Sequence, residues 1–189
     1  MILLTGVAGG LLAGWGWARW HGRSYQAPIL QYTWLIVVGF IPQLLIAYLP
    51  ATHYAAPKWL AAVSLSGSLV LFLAFVWVNR GLPGMPVLLA GLMLNLIVIA
   101  ANGGWMPISP ETASRVAGED VSPYVALGDR FGQKDILIRS QDMHFGLLAD
   151  RFLLPAGSPY RVAFSAGDIL ITAGVFWLLA KPPAKDTPP

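Results

Sequence analysis

Asp150 and Asp168 are the acidic residues of this chain best suited to act on a bond or on water. Two carboxyl groups that converge split their pKa values, so that one acts as acid and the other as base. Asp150 stands in Leu148-Ala-Asp150-Arg151, and Asp168 in Ser165-Ala-Gly-Asp168. Asp168 is also the one acid inside an apolar run, where an ionisable group costs about 2.5–3.5 kcal/mol at mid-helix and less near an end. Ser165-x-x-Asp168 has the spacing of a capping box, and a carboxylate in a first helical turn suits the helix dipole. Capping and chemistry are compatible roles for Asp168. A surface ion pair with Arg151 or Arg161 is the plainer reading of Asp150.

Asn102-Gly103-Gly104-Trp105 follows a long apolar run. The glycines let the backbone turn or approach a ligand, and the Asn102 amide offers both donor and acceptor. A helix C-cap followed by a turn explains the same residues. With Asp150 and Asp168 as a water-activating pair, Asn102 would orient the substrate, His144 would assist, and Arg151 and Ser165 would complete the surroundings. His21, His53 and His144 lie in separate segments without ligand spacing, so no metal is expected. No cofactor is expected either. With no cysteine, disulfides, thiolate metal sites and cysteine nucleophiles are excluded.

The elements that must carry these groups are apolar runs near 2–18, 29–49, 59–78, 85–101 and 163–180. Each approaches the roughly 20 residues that cross a bilayer as helix. Hydrophobic residues make up 56% of the 189 and charged residues only 11%, against about 25% in soluble proteins. The mean hydropathy is +0.63. The expectation is an all-α, multi-pass protein with five transmembrane helices, in the cytoplasmic membrane of a bacterium. Residues 1–181 would form one integral domain and 182–189 a disordered tail. A net charge of +3, scattered along the chain, gives no reason to expect nucleic acid.

Arg19, Arg23, Arg80, Lys181 and Lys185 fall on one side of such a bundle, against Lys58 among the short segments of the other. The positive-inside rule then puts the N-terminus and the 102–162 segment outside and the C-terminus in the cytoplasm. The first run lacks a basic leader and reads as a retained span. Gly6, Gly10 and Gly14 share a face and form a packing seam. Pro42 kinks the second run, and Arg80-Gly-Leu-Pro-Gly closes a hairpin. Asn95 makes an interhelical hydrogen bond. Within 102–162, Ser109-Pro110 opens a helix, 134–139 forms a strand, and 141–154 forms an amphipathic helix on the membrane surface.

Asn102-Gly-Gly-Trp-Met-Pro-Ile, Leu-x-Asp-Arg-x-x-x-Pro and Phe-Ser-Ala-Gly-Asp-Ile together resemble a family of small bacterial multi-pass membrane proteins of unknown function. Phe164-Ser165-Ala166-Gly167-Asp168-Ile169 through Gly174 is also similar to the last-span motif of lipoprotein signal peptidase (signal peptidase II), with Ser165 where that family has asparagine. Ala149-Asp150-Arg151 is similar to its Asp-Arg motif. That resemblance implies an aspartate-dependent membrane peptidase acting on a lipid-modified substrate. Three functions are therefore expected, in this order. The first is a non-enzymatic component that binds membrane lipid or another membrane protein at its outer face. The second is the aspartate hydrolase, and the third a small transporter.

Overall fold

The computed structural model describes residues 2–48, 56–155, 157–158 and 160–181. His53, Lys185 and the 182–189 tail lie outside the described residues. Six α-helices are described: α1 (Ile2–Trp20), α2 (Trp34–Gln43), α3 (Lys58–Val78), α4 (Met85–Ala101), α5 (Pro110–Ala117) and α6 (Ala166–Ala180). Five short strands accompany them: β1 (Met106–Ile108), β2 (Arg130–Phe131), β3 (Asp135–Leu137), β4 (Phe152–Leu153) and β5 (Ala163–Phe164).

This overturns the expectation of an all-α protein with five transmembrane helices. The 102–162 segment folds into sheet as well as helix, and among the described residues only α3 is long and apolar enough to cross a membrane. The apolar helices α4 and α6 are shorter, at 17 and 15 residues. In α1, glycines, tryptophans and Arg19 dilute the apolar content. The run at 29–49 is broken: Pro42 lies inside α2, and the helix then widens into a π-helical turn, Leu44–Tyr48. Proline removes one i→i−4 hydrogen bond and crowds the preceding turn, a common cause of such a break.

The long helices pack as an open row, α2–α3–α4–α6–α1, with each helix against the next. Glycines set the closest approaches. A Cβ on Gly10 would stand 2.8 Å from Phe176 O, and one on Gly6 would stand 2.7 Å from Thr172 O. The Gly6-Gly10-Gly14 seam therefore binds α6 within the same chain, as expected, in parallel orientation. On the other side of α6 the sequence reading missed a second seam. Gly84 meets Gly174, and Gly91 meets Gly167 with Gly167 O 2.6 Å from a Cβ built on Gly91, so α4 and α6 run antiparallel almost backbone to backbone.

The main core, including Leu69, Val76, Met85, Leu92, Val98, Ile99 and Met106, lies where α3, α4 and α6 meet the 102–162 segment. Above it, β3 is the centre of a three-stranded sheet, parallel to β1 and antiparallel to β2. A small second core of Ile108, Ala113, Val121 and Leu137 joins this sheet to α5. β4 pairs with β5, which leads directly into α6. Ser109 caps α5 by accepting from Thr112 N at 3.1 Å, as its sequence indicates. The amphipathic helix expected over 141–154 is absent; a 3-10 turn (Ser140–Asp142), further turns and β4 stand there instead.

Candidate functional site

The site lies where the start of α6 meets the three-stranded sheet. Ser165 is buried and receives the Asp168 N–H at 3.0 Å, while Asp168 Oδ2 accepts the Ser165 N–H at 3.2 Å. The capping box is therefore complete. Ser165 Oγ also donates to Asn95 Oδ1 at 2.9 Å, and Asn95 Nδ2 donates to Asp168 Oδ1 at 2.9 Å. Asn95 makes the interhelical hydrogen bonds expected of it. The glycine seam brings α4 close enough for a short amide to reach both partners.

Lys134 was missed by sequence reading. It immediately precedes β3, and its Nζ lies 2.9 Å from Asp150 Oδ2 and 3.4 Å from Asp168 Oδ2. Asp150 is thus joined to Lys134 rather than to Arg151 or Arg161. Its side chain is 1% exposed, whereas that of Lys134 is 36% exposed and lines a cavity. With both aspartates on one ammonium, they fall within the roughly 10 Å over which carboxylate pairs share a water.

Asp135, also missed, is the fourth member. Burial drives its pKa well above the usual carboxylate range; Lys134 opposes this, and the neighbouring Asp150 adds to it. Burial likewise raises Asp150, against the pull of Lys134. For Lys134, burial alone would lower the pKa, but Asp150, Asp168 and Asp135 together reverse the sign and raise it. Three acids around one base leave acceptor capacity unused. The Asp135 and Asp150 carboxyl groups hydrogen-bond to each other, so part of that capacity is met within the cluster. The one sequence signal was local: a Lys-Asp pair opening a short apolar strand, in the stretch that leads the chain across the end of the helical row.

The remaining candidates are placed elsewhere. Asn102 Nδ2 donates to His144 O at 2.9 Å and to Val98 O at 2.8 Å, and Asn102 Oδ1 accepts the His144 N–H at 3.1 Å. This amide caps α4 and fastens a loop. Asn102 and His144 are therefore brought together, but through the His144 backbone. Gly103 and Gly104 both have positive φ, 73° and 87°, and a Cβ on Gly104 would press on Ala62 of α3. Their role is a tight exit from α4. Arg151 is exposed and lines, with Asp150 and Arg115, an outer cavity of about 630 Å³. No group of three His, Cys, Asp or Glu side chains among the described residues is arranged to hold a metal.

Two further cavities meet at the cluster. A polar chamber of about 570 Å³ includes Arg130, Lys134, Asp135, Arg161 and Asp168 in its wall. An apolar slot of about 340 Å³ runs between the helices past Phe40, Phe72, Leu88 and Val175. Lys134, Asp168, Gln43, Leu65, Ile2 and Leu3 line both. Both end helices of the row line the slot, α1 through Ile2 and Leu3 and α2 through Ile36 and Phe40.

Fold and site together define a small, mainly helical protein with an apolar cleft that ends at a buried, charged cluster. The chain belongs to a family of unknown function, DUF5317, whose profile matches residues 29–180. A protein of Thermotoga maritima, described as uncharacterized, is 31% identical over 122 residues, which is 64% of this chain and 64% of that protein. The chain thus spans under two thirds of that relative's length. No solved structure matches the chain. The likeness to signal peptidase II gains no support from these matches.

Proposed function

We propose that this protein is a membrane-associated binding component that takes an amphiphile, head group first, into the cleft between α1 and α2. One observation carries the reading: the apolar slot and the polar chamber share the wall formed by Lys134 and Asp168. A molecule with an acyl tail and a polar head has the same division. The cleft volumes lie in the range of about 300–1,000 Å³ typical of small-molecule sites.

Membrane residence is supported by the outer faces of the long helices. On α3, Trp59, Val63, Val70 and Trp77 are each more than half exposed, and on α1 so are Leu4, Leu12 and Trp15. Apolar surface this extensive marks a lipid or partner contact rather than a face turned to water. With α3 as its span, the helical row lies in the bacterial plasma membrane and the sheet lies at the surface. Ligand enters sideways from the lipid.

The test is binding of a fluorescent single-chain acyl probe to the purified protein in detergent. Leu3→Trp, at the mouth shared by both cavities, should weaken binding at least tenfold with unchanged thermal stability. Undiminished binding by that variant sinks the cleft reading.

A second reading, aspartate-dependent hydrolysis of a lipid-modified substrate, is favoured by the shared position of Asp150 and Asp168 on Lys134. It requires that turnover of an acyl-ester or lipopeptide substrate be lost in both Asp150→Asn and Asp168→Asn while probe binding persists. Turnover surviving in either variant removes it.

A further inference from the structure

The end of the helical row away from the sheet carries one sign of charge. There α1, α3 and α6 finish and α2 and α4 begin. Tyr25 Oη donates to Leu179 O at 3.0 Å near the end of α6, and the Gln31 N–H donates to Asn79 Oδ1 at 2.8 Å just past α3. The 21–33 segment therefore lies across this end of the row. Arg19, Arg23, Arg80 and Lys181 all stand here, and all four are exposed. Of the nine acidic residues in the chain, eight lie between Glu111 and Asp168, and the ninth, Asp186, is outside the described residues. The ion pairs of the described residues, Lys58 with Asp129 and Lys134 with Asp150 and Asp168, all belong to the opposite end. The four cations are thus without an anionic partner among the described residues. The C-terminal dipoles of α1, α3 and α6 favour cations here but neutralise none of them.

Tryptophans mark the same level. Trp20 of α1, Trp34 of α2, Trp77 of α3 and Trp177 of α6 each lie within a turn of this end and are exposed, Trp20 to 88%. The Arg80 guanidinium stands 4.8 Å from the Trp77 ring, and that of Arg19 stands 5.8 Å from the Trp15 ring. Indoles collect where hydrocarbon meets head groups, because one part of the ring system is apolar and its N–H needs a polar partner. The 21 residues of α3 make about 31 Å of helix, close to the hydrocarbon thickness of about 30 Å. With α3 as the span, this end reaches the head groups of one leaflet.

Resting on the membrane placement above, and independent of what fills the cleft, we propose that this end is a binding surface for anionic phospholipid. The lipid phosphates lie against Arg19, Arg23, Arg80 and Lys181, and the tryptophans fix the depth at which they meet. A guanidinium holds phosphate through two parallel N–H···O bonds. Charge complementarity selects the lipid: no carboxylate among the described residues stands here to receive the ammonium of a zwitterionic head group. A soluble anion would meet the same charges but would leave the exposed indoles without a hydrocarbon neighbour.

The test uses the whole purified protein in a neutral detergent and reads quenching of its tryptophan fluorescence by phospholipids brominated on their acyl chains. Phosphatidylglycerol and phosphatidylcholine with identical chains are compared. A basic residue near an anionic surface contributes about fivefold, so four should give phosphatidylglycerol a preference of at least about tenfold at low salt. Near 1 M salt, where screening acts within roughly 3 Å, the preference should vanish. Arg23→Gln combined with Lys181→Gln, at two exposed positions, should lower it at least fivefold. Lys58→Gln, at the other end of α3, should leave it unchanged. Equal quenching by the two probes overturns the proposal, as does a preference that survives high salt or the double substitution, and each of these leaves the cleft reading standing. Displacement of brominated phosphatidylglycerol by millimolar glycerol phosphate as readily as by unlabelled phosphatidylglycerol also overturns it, since the site would then be one for a soluble anion. If neither probe quenches, the membrane placement itself falls and this inference falls with it.

Discussion

Asn102 grips the backbone of His144 on both sides, donating to its carbonyl at 2.9 Å and accepting its N–H at 3.1 Å. The next residue, Phe145, has φ of 56°, a conformation that bulky side chains rarely adopt. The same device recurs at the end of α3. Asn79 donates to Gln31 O at 3.0 Å and accepts Gln31 N–H at 2.8 Å, and Tyr32, which follows, has φ of 52°. Each asparagine also caps its own helix by donating to the i−4 carbonyl. One amide thus ends a helix and holds a strained loop, and the two clamps sit at opposite ends of the α3–α4 hairpin.

Removing the clamp should therefore cost more than a surface hydrogen bond. Asn102→Ala leaves the His144 carbonyl and N–H without their side-chain partner, while the Val98 carbonyl keeps the backbone N–H of residue 102, a loss of about 1–3 kcal/mol. Limited proteolysis should then cut near residues 143–146 first. Phe145→Gly in the native background should instead stabilise by up to ~1 kcal/mol, because glycine takes positive φ freely. Denaturant unfolding in detergent measures both. An Asn102→Ala protein as stable as the native one would show that the clamp is incidental.

The lysine at the centre of the cluster should be the most sensitive charged position. Lys134→Met leaves Asp150 and Asp168 without their common cation. Breaking a buried pair from one side costs about 3–5 kcal/mol, and the partly open Lys134 stem places the loss at the low end. Lowering the pH should restore part of this stability, since protonated carboxyls no longer need the ammonium. A loss that is independent of pH would contradict the ion-pair account.

The pH dependence of the native protein follows from Asp135 and Asp150. Burial raises both pKa values above those of the unfolded chain. The folded state then binds protons more tightly than the unfolded state, so their contribution is full below the unfolded carboxylate pKa of about 4. It declines as pH rises through the raised folded values. Stability should thus fall from mildly acidic toward alkaline pH. Asp135→Asn should flatten that slope and raise the melting temperature at pH 8 relative to the native protein. A native profile that rises over this range would reverse the assignment.

How far the sequence foretold this structure depends on the range of the interactions. Local signals held: Ser109 and Ser165 cap their helices, Pro42 interrupts its own, and the Lys134–Arg139 stretch contains a strand. These depend on neighbours three or four residues away. The five-span bundle failed, because apolar content does not fix where a helix stops. Pro42 and the π-turn divide one run, and α6 begins only at Ala166, after β5 has used the run's first residues. The cluster was half legible. Asp150 and Asp168 stood out as acids near apolar runs, but the partner that joins them lies just before β3, and the Lys-Asp pair there was its one local signal.

The α4–α6 glycine seam was equally hidden, since its four members lie on helices far apart in the chain. It carries the last prediction. Gly91 faces Gly167, and Asn95, one turn further along α4, reaches Ser165 and Asp168 only because the backbones touch. A methyl group at Gly91 would have to stand 2.6 Å from Gly167 O and 2.8 Å from Ile171 N, so the helices must separate. Gly91→Ala should cost about 1–3 kcal/mol, the usual range for overpacking. It should also lengthen the Asn95 hydrogen bonds and so weaken probe binding in the cleft. Gly16→Ala is the control: a Cβ there meets nothing within 4 Å, and alanine in an exposed helix interior should stabilise by roughly 0.5–1 kcal/mol. If both substitutions have the same effect on stability and binding, close contact between α4 and α6 is not what positions the charged cluster.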